Sequence, residues 1–442
     1  MATTRPREAH AAGPALFKAR ADRLGIPQDL WADIHRHPEA HSCQAPEATG
    51  IADMALFPTS DRDIRLMARA AWLTTRCQAS MALYQEPAMD LFTSDPFTGA
   101  KPNFIPVSAG IGHTVSGTVA RHWPGLGPIE RVESIGGNEI NSNNFRISTP
   151  EGLFLAKRYP LGNDREETLR RLTLWNWLQA QGAPFPESLA SDGQLLKQAE
   201  DGQWAVFVFV HGEFFSGIHD QELASVARAI GGLCSMMDTA PQGLWPREHV
   251  RTIAPDTFAL AQEVSESRPQ WPELFLEHAP ALDQGWDQAA LALEEIAAQG
   301  ERLGGYEPRP CHIDLHPLNI LVQDQRAAAF LDPDSLRLTL PMVPLAYGAY
   351  KLIKQRTVMA GQSHDRRKLA RSVELFLENL TLQWPQATHE LHRFGLYART
   401  EIFRRMMVIF RSTLKHGNRE WNRFLPVHLA GIEETRLMFD SL

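Results

Sequence analysis

The sequence predicts an α+β protein: a small lobe built on an antiparallel sheet, then a large helical lobe, with a mainly helical region ahead of both. Three observations predict it. The texture of the chain changes near residue 128 and again near residue 212, and the β-compatible segments lie mostly between those points. From there to the C-terminus the pattern is helical. The exception is a late segment, PCHIDLHPLNILV, residues 310–322, which gathers His312, Asp314, His316 and Asn319 just ahead of an apolar run.

Bulk properties narrow the class. A chain of 442 residues exceeds one ordinary core, and 43% hydrophobic with 22% charged residues is globular composition. The formal charge of −8 gives no reason to expect nucleic acid or an anionic membrane surface as partner. Cys43, Cys77, Cys234 and Cys311 have neither zinc-ribbon nor disulfide-scaffold spacing, which fits a reducing compartment. No run approaches the ~20 apolar residues of a membrane helix, and the start lacks a signal-peptide core, so a soluble cytoplasmic protein is expected.

Residues 1–128 read as a mainly helical region of unknown role, with DRDIRLMARAAWLTTRCQASMALYQ from Asp61 as its clearest helix and SDPFTGAKPNFIPV as loop. The Gly/Pro break HWPGLGPIE sets the first boundary. Oligomerisation, a lid over the acceptor or docking to another protein are the roles open to this region. Its His35, His37, His41 and Cys43 could ligate a metal, but at no recognised spacing; exposed histidines around a helix end are commoner.

Residues 129–212 read as the small lobe. NNFRIST and LFLAKRY, joined by the turn PEG, form a hairpin. A helix follows, with Asp164 as cap, Glu167 three residues later as in a capping box, and Gly182 closing it. QWAVFVFV has the unbroken apolar character of a strand buried on both faces.

Residues 213–442 read as the helical lobe, interrupted by strands at Ile320–Val322 and Ala327–Leu331 around the polar turn QDQR. Antiparallel pairing of these strands brings Asp314, Asn319, Asp332 and Asp334 to one edge. Oxygen ligands of this kind suit Mg²⁺ together with substrate phosphates, and a further carboxylate can accept a hydroxyl proton. Upstream, the glycine turn Gly136–Gly137 followed by Lys157 on a strand is the kinase arrangement over nucleotide phosphates. Singly, each feature has a plainer reading: a polar turn for Asp314 and Asn319, an edge-strand gatekeeper for Lys157, a helix start for Asp334. Together they reproduce one catalytic constellation.

HIDLHPLNILV followed by FLDPDS resembles the aminoglycoside phosphotransferase and choline kinase-like family, whose usual wording is H-G-D-x-x-x-x-N; the likeness covers about residues 132–335. The resemblance implies a protein-kinase-like two-lobe fold and an ATP- and Mg²⁺-dependent kinase. It implies Asp314 as catalytic base, Asn319 and Asp332 as Mg²⁺ ligands, and Lys157 on the nucleotide phosphates. Val208, Phe209 and Val210 become the hinge at adenine, and His312 a structural support. Three departures stand out: Ile313 replaces glycine, Arg171 lies near the place of the glutamate expected to pair with Lys157, and LPMVPLAYGAYKL lacks an acidic residue common in the family.

The short run after Asp332 leaves little room for a peptide-docking segment, so a small-molecule hydroxyl acceptor is expected. Between Lys351 and Arg423 there are 15 Lys and Arg against 6 Asp and Glu, a net +9. HDRRK and EIFRRMM could therefore recognise an anionic acceptor, with a solvated helical face as the plainer reading. A polycationic aminoglycoside is disfavoured. A regulatory pseudokinase and a nucleotidyl- or protein-modifying transferase are the other classes open.

Overall fold

The computed structural model describes residue 92 and residues 98–136, 143–299 and 307–440. The helix expected from Asp61, the His35, His37, His41 and Cys43 group, and Gly137 lie outside these. The chain divides into two compact units, 1–87 with 441–442, and 88–440, and all described residues belong to the second.

The small lobe is a seven-stranded antiparallel sheet. Its strands are β1 (Asn103–Pro106), β2 (Arg131–Gly136), β3 (Asn144–Thr149), β4 (Gly152–Tyr159), β5 (Ser188–Leu189), β6 (Lys197–Ala199) and β7 (Gly202–Val208), in the order β1-β2-β3-β4-β7-β5 with β6 also on β7. The hairpin read from NNFRIST and LFLAKRY is β3 and β4, paired from Asn144 opposite Lys157 to Thr149 opposite Gly152. Alternate residues of β3 point inward, placing Phe145 and Ile147 on one buried face.

That face is covered by α1 (Ala109–His122), whose Val115 and Val119, with Trp123 and Leu126 just after it, pack on Phe145, Ile147, Phe154, Trp204 and Val206. The other face is covered by α2 (Arg165–Ala180), where Trp175 meets Phe207 edge-on. Strand β7 is thus sandwiched, as its apolar run requires. Here the structure differs from the sequence reading. The lobe starts before residue 128, because β1 pairs with β2 and α1 closes an apolar face that would otherwise meet water.

Asp164 caps α2 as expected, accepting from the amides of Glu166 and Glu167. Glu167 does not complete a capping box. Its carboxylate instead accepts from the amides of Arg247 (2.9 Å) and Glu248 (3.2 Å) and pairs with Arg171, bracing α2 against the helical lobe.

After β7, β8 (Glu213–Phe214) pairs with β10 (Ile320–Gln323), itself paired with β11 (Arg326–Phe330). Asp324 and Gln325 both take left-handed backbone, with φ of 50° and 59°, as a two-residue I′ hairpin turn demands. A two-stranded sheet joins β9 (Arg309–His312) to β12 (Leu336–Thr339). Helices supply the remainder of the lobe: α3 (Asp220–Asp238), α4 (Thr257–Glu266), α5 (Trp271–Phe275), α6 (Ala279–Ala298), α7 (Met342–Met359), α8 (Arg366–Gln383), α9 (Phe394–His416) and α10 (Leu425–Phe439). No helix among the described residues is long and apolar enough to cross a membrane.

Candidate active site

The two ends of the β10–β11 hairpin meet, with the Leu331 amide donating to the Asn319 carbonyl at 2.8 Å. Beneath them His312 is buried. Its Nδ1 accepts from the Asp314 amide at 3.3 Å, so the ring proton sits on Nε2 and is donated to the Leu331 carbonyl at 2.7 Å. One imidazole thus fixes both the turn before β10 and the end of β11. Burial lowers its pKa and keeps it neutral.

Asp314 lies in the turn between β9 and β10. Asn319 donates its amide to the Asp314 carbonyl at 2.9 Å and to Oδ2 at 3.3 Å. His316 accepts the Leu318 amide on Nδ1, which leaves Nε2 to donate to Oδ2, also at 3.3 Å. The other oxygen, Oδ1, takes Nη2 of Arg405 at 2.9 Å. Burial alone would raise the Asp314 carboxyl, but His316 and Arg405 outweigh it and hold it well below the usual carboxylate range.

Asp332 follows β11 with left-handed backbone, φ 69° and ψ 80°. Its Oδ2 accepts from Ser335 Oγ at 2.6 Å, and its Oδ1 takes Lys157 Nζ at 2.6 Å. Lys157 also meets Asp334 Oδ2 at 2.7 Å. Burial opposes the Lys157 charge, yet the two aspartates raise its pKa above the ordinary lysine value; Asp332 is correspondingly held low against its own burial. The sequence left open which glutamate faces this lysine. Its ion-pair partners are aspartates, while Glu166 is engaged by Arg170 and Arg247, and Glu167 by Arg171.

Val208, Phe209 and Val210 line a mostly apolar cavity of about 170 Å³ with Ile135, Leu321 and Leu331. Gly136 ends β2 opposite Asn103 at the upper edge of the sheet. Two residues of this cavity escaped the sequence reading. Phe104, on β1 within a stretch read as loop, meets Phe209 edge-on at 5.8 Å, and the Arg146 guanidinium sits 3.7 Å above the Phe104 ring. The alternation in NFIP was too short to reveal a strand. Arg405 was legible only as part of the basic cluster EIFRRMM; nothing local ties it to Asp314.

Solved structures with this architecture include a spectinomycin phosphotransferase, APH(9)-Ia, in complex with ADP and spectinomycin. It is 13% identical with a TM-score of 0.56, covering 76% of this chain and 100% of that one. An amicoumacin kinase, hAmiN, in complex with AMP-PNP, Ca²⁺ and Ami, is 10% identical with a TM-score of 0.51 over 73% and 92% of the two chains. At such identities the likeness is one of fold, here the kinase-like pairing of a sheet lobe with a helical lobe. No curated protein matches the chain by sequence. Residues 131–372, more than half of the chain and all of the site just described except what β1 and α9 contribute, match the model of the phosphotransferase enzyme family, and the chain belongs to that family.

Proposed function

We propose that this chain is an ATP- and Mg²⁺-dependent kinase that phosphorylates a hydroxyl group of a small anionic molecule. The observation that carries the reading is Lys157, reaching from β4 of the small lobe to Asp332 of the helical lobe at 2.6 Å. Asn319 and Asp314 lie at the other end of the same hairpin.

In this reading adenine occupies the cavity along Val208, Phe209 and Val210, and the glycine turn from Gly136 lies over the phosphates. Lys157 turns from Asp332 to the nucleotide phosphates. The donor set fits Mg²⁺: Asp332 offers carboxylate oxygens, and Asn319, whose amide nitrogen is spent on Asp314, offers its carboxamide oxygen. Among the described residues no group of three or more His, Cys, Asp or Glu could hold a metal alone, which suits an ion sharing its shell with nucleotide phosphates. When bound, Mg²⁺ neutralises the charge that gathers on the β- and γ-phosphates.

Asp314 orients the acceptor hydroxyl. Its oxygen forms the new bond to the γ-phosphorus, the bond to the β–γ bridging oxygen breaks with ADP as leaving group, and the hydroxyl proton passes to Asp314. The nine residues Pro333 to Pro341 separate Asp332 from α7, too short a run to seat a peptide. Spectinomycin and amicoumacin, in the names of the two similar enzymes, are likewise small acceptors.

A screen of metabolite pools for Mg²⁺- and ATP-dependent phosphorylation tests the proposal beside Asp314→Asn. The variant should fold and bind nucleotide but lose at least ~10²-fold in turnover, the scale of a lost general base. Undiminished transfer by Asp314→Asn would remove the assigned role. Nucleotide binding without transfer by the wild type would mark a regulatory pseudokinase, a reading favoured by the arginine lying on Asp314.

A further inference from the structure

Arg405 lies outside the family-matched span and makes the contact that a catalytic base can least well tolerate. An ionised carboxylate offers about four lone-pair positions. Three donors occupy three of them, Arg405 on Oδ1 with His316 and Asn319 on Oδ2, and the position left on Oδ1 lies beside the guanidinium. The arginine also cancels the charge that would draw a hydroxyl proton.

The arginine is held like a hinge pin. Its Nε donates to Glu401 Oε1 at 2.9 Å, Glu401 is buried and braced by Arg404, and the guanidinium stacks 4.4 Å above the Tyr347 ring. The far nitrogen, Nη2, serves both Asp314 and the Ile313 carbonyl. A rotation about the anchored end frees Nη2 without breaking the Glu401 contact. The Arg405 side chain is 23% exposed and that of Asp314 27%, so the fork is reachable from solvent.

The surroundings favour an anion there. Helix α7 brings Lys351 and the buried Lys354 to this side, Lys354 being paired with Glu434 at 2.7 Å, and α10 brings His428. Burial, then the charges of Lys354 and Arg405, push Lys351 down to about 7. Burial, then Arg405, Lys351, Lys354 and Arg404, push the His428 imidazole well below its ordinary value. Burial is the first cause for both groups and the neighbouring cations add to it, while Glu434 opposes the shift of Lys351.

We propose that Arg405 is a latch on Asp314, released when a carboxylate or phosphate group of the acceptor alcohol takes its guanidinium fork. This rests on the phosphotransferase reading above and adds to it a reason for acceptor charge to matter. An oxyanion draws Nη2 off Oδ1 as its own hydroxyl arrives, so the base is freed in the complex that can use it. A cationic acceptor has nothing to offer the arginine and leaves the latch shut.

The test uses ATP hydrolysis with water as acceptor, so that no acceptor need be known. Full-length wild type, Arg405→Met, Arg405→Lys, Asp314→Asn and the Arg405→Met/Asp314→Asn double variant are compared in MgATP. Each is also assayed with sodium sulfate as the oxyanion probe against sodium chloride at equal ionic strength. Wild type should hydrolyse slowly and accelerate with sulfate. Arg405→Met should hydrolyse at least threefold faster than wild type, with unchanged KM for ATP and no sulfate response. The double variant should fall to the level of Asp314→Asn. Equal or slower hydrolysis by a folded, ATP-binding Arg405→Met, or a wild type indifferent to sulfate, overturns the latch and leaves the kinase reading standing. If Arg405→Met does not fold, Arg405→Lys decides: it should keep a weakened sulfate response, and a full wild-type response overturns the proposal. Failure of every protein to bind or hydrolyse MgATP would overturn the kinase reading, and the latch with it.

Discussion

Asp332 adopts a backbone conformation that non-glycine residues rarely take, at a cost of order 1–3 kcal/mol. Lys157 on one oxygen and Ser335 on the other hold it there. Both Asp332 and Asp314 have folded pKa values below the ordinary ~3.9, so their stabilisation is complete above about pH 4 and is lost as pH falls through the folded values. His312 and His428 act in the same direction, but from a higher pH. They stay neutral in the folded protein while the unfolded chain binds protons below about pH 6.5, so stability already falls from there downward. Acid destabilisation should therefore have two windows, seen as a drop in urea midpoint between pH 7 and 5 and a second below pH 4. His428→Leu should flatten part of the first; an unchanged first window in that variant would refute the assignment. Asp314, Asn319, Asp332 and Lys157 were legible because three of the four sit on a single hairpin, where spacing alone sets their proximity. Arg405 was not, being 91 residues downstream of its partner. Glu167 misled because three residues past a cap is equally a place from which to receive amides of another segment.

At the scale of elements, the instructive case is α1. Nothing in AGIGHTVSGTVARH names its partner, and the Gly/Pro stretch after it looked like a boundary. In three dimensions that stretch is a turn that lays α1 back across the sheet, with Trp123 Nε1 donating to the Leu189 carbonyl at 3.1 Å. Phe145, Ile147, Phe154, Trp204 and Val206 would lose this cover in a chain beginning at residue 129. Large side chains contribute about 1.5–3 kcal/mol each on burial, so the loss rivals the ~5–15 kcal/mol that stabilises a typical domain. A chain beginning at Ala88 should melt cooperatively, and one beginning at residue 129 should aggregate or show no cooperative melt. Equal melts by circular dichroism would show that α1 is dispensable. The strands and α2 were readable because each carries its period and its caps; the β1–α1 cover was not, since a covering helix is defined by what it covers.

Across the whole molecule, the +9 of the helical end shows what counting charges omits. Arg411 pairs with Asp256, Lys415 with Glu263, Lys354 with Glu434, Arg399 with Asp440 and Arg356 with Asp220, all carboxylates outside the counted span. Most of the excess thus staples helices together, and Arg405 is informative for its position rather than its sign. Lys157 has the corresponding role between lobes. Lys157→Met would leave Asp332 and Asp334 facing each other without their cation, a loss of about 2–3 kcal/mol, below the range for fully buried pairs because both carboxylates are a third exposed. Urea unfolding should report that loss, and titration with MgATP should show weakened binding; a variant as stable as wild type would mean the lobes do not depend on this contact.

The short connection from β7 to β8 has a mechanical consequence. Strand β8 begins at Glu213, only five residues after β7 ends at Val208, and is already hydrogen-bonded to β10. An added Cβ on Gly212 would lie 3.0 Å from the Val322 carbonyl oxygen, so the connection runs close against β10. Through β8, a tilt of the small lobe would be felt by the ribbon whose ends are Asn319 and Asp332. On the kinase reading proposed above, opening the cleft to let ADP leave and loosening the ligands of the ion would be one motion, coupling exit of the nucleotide to exit of its metal.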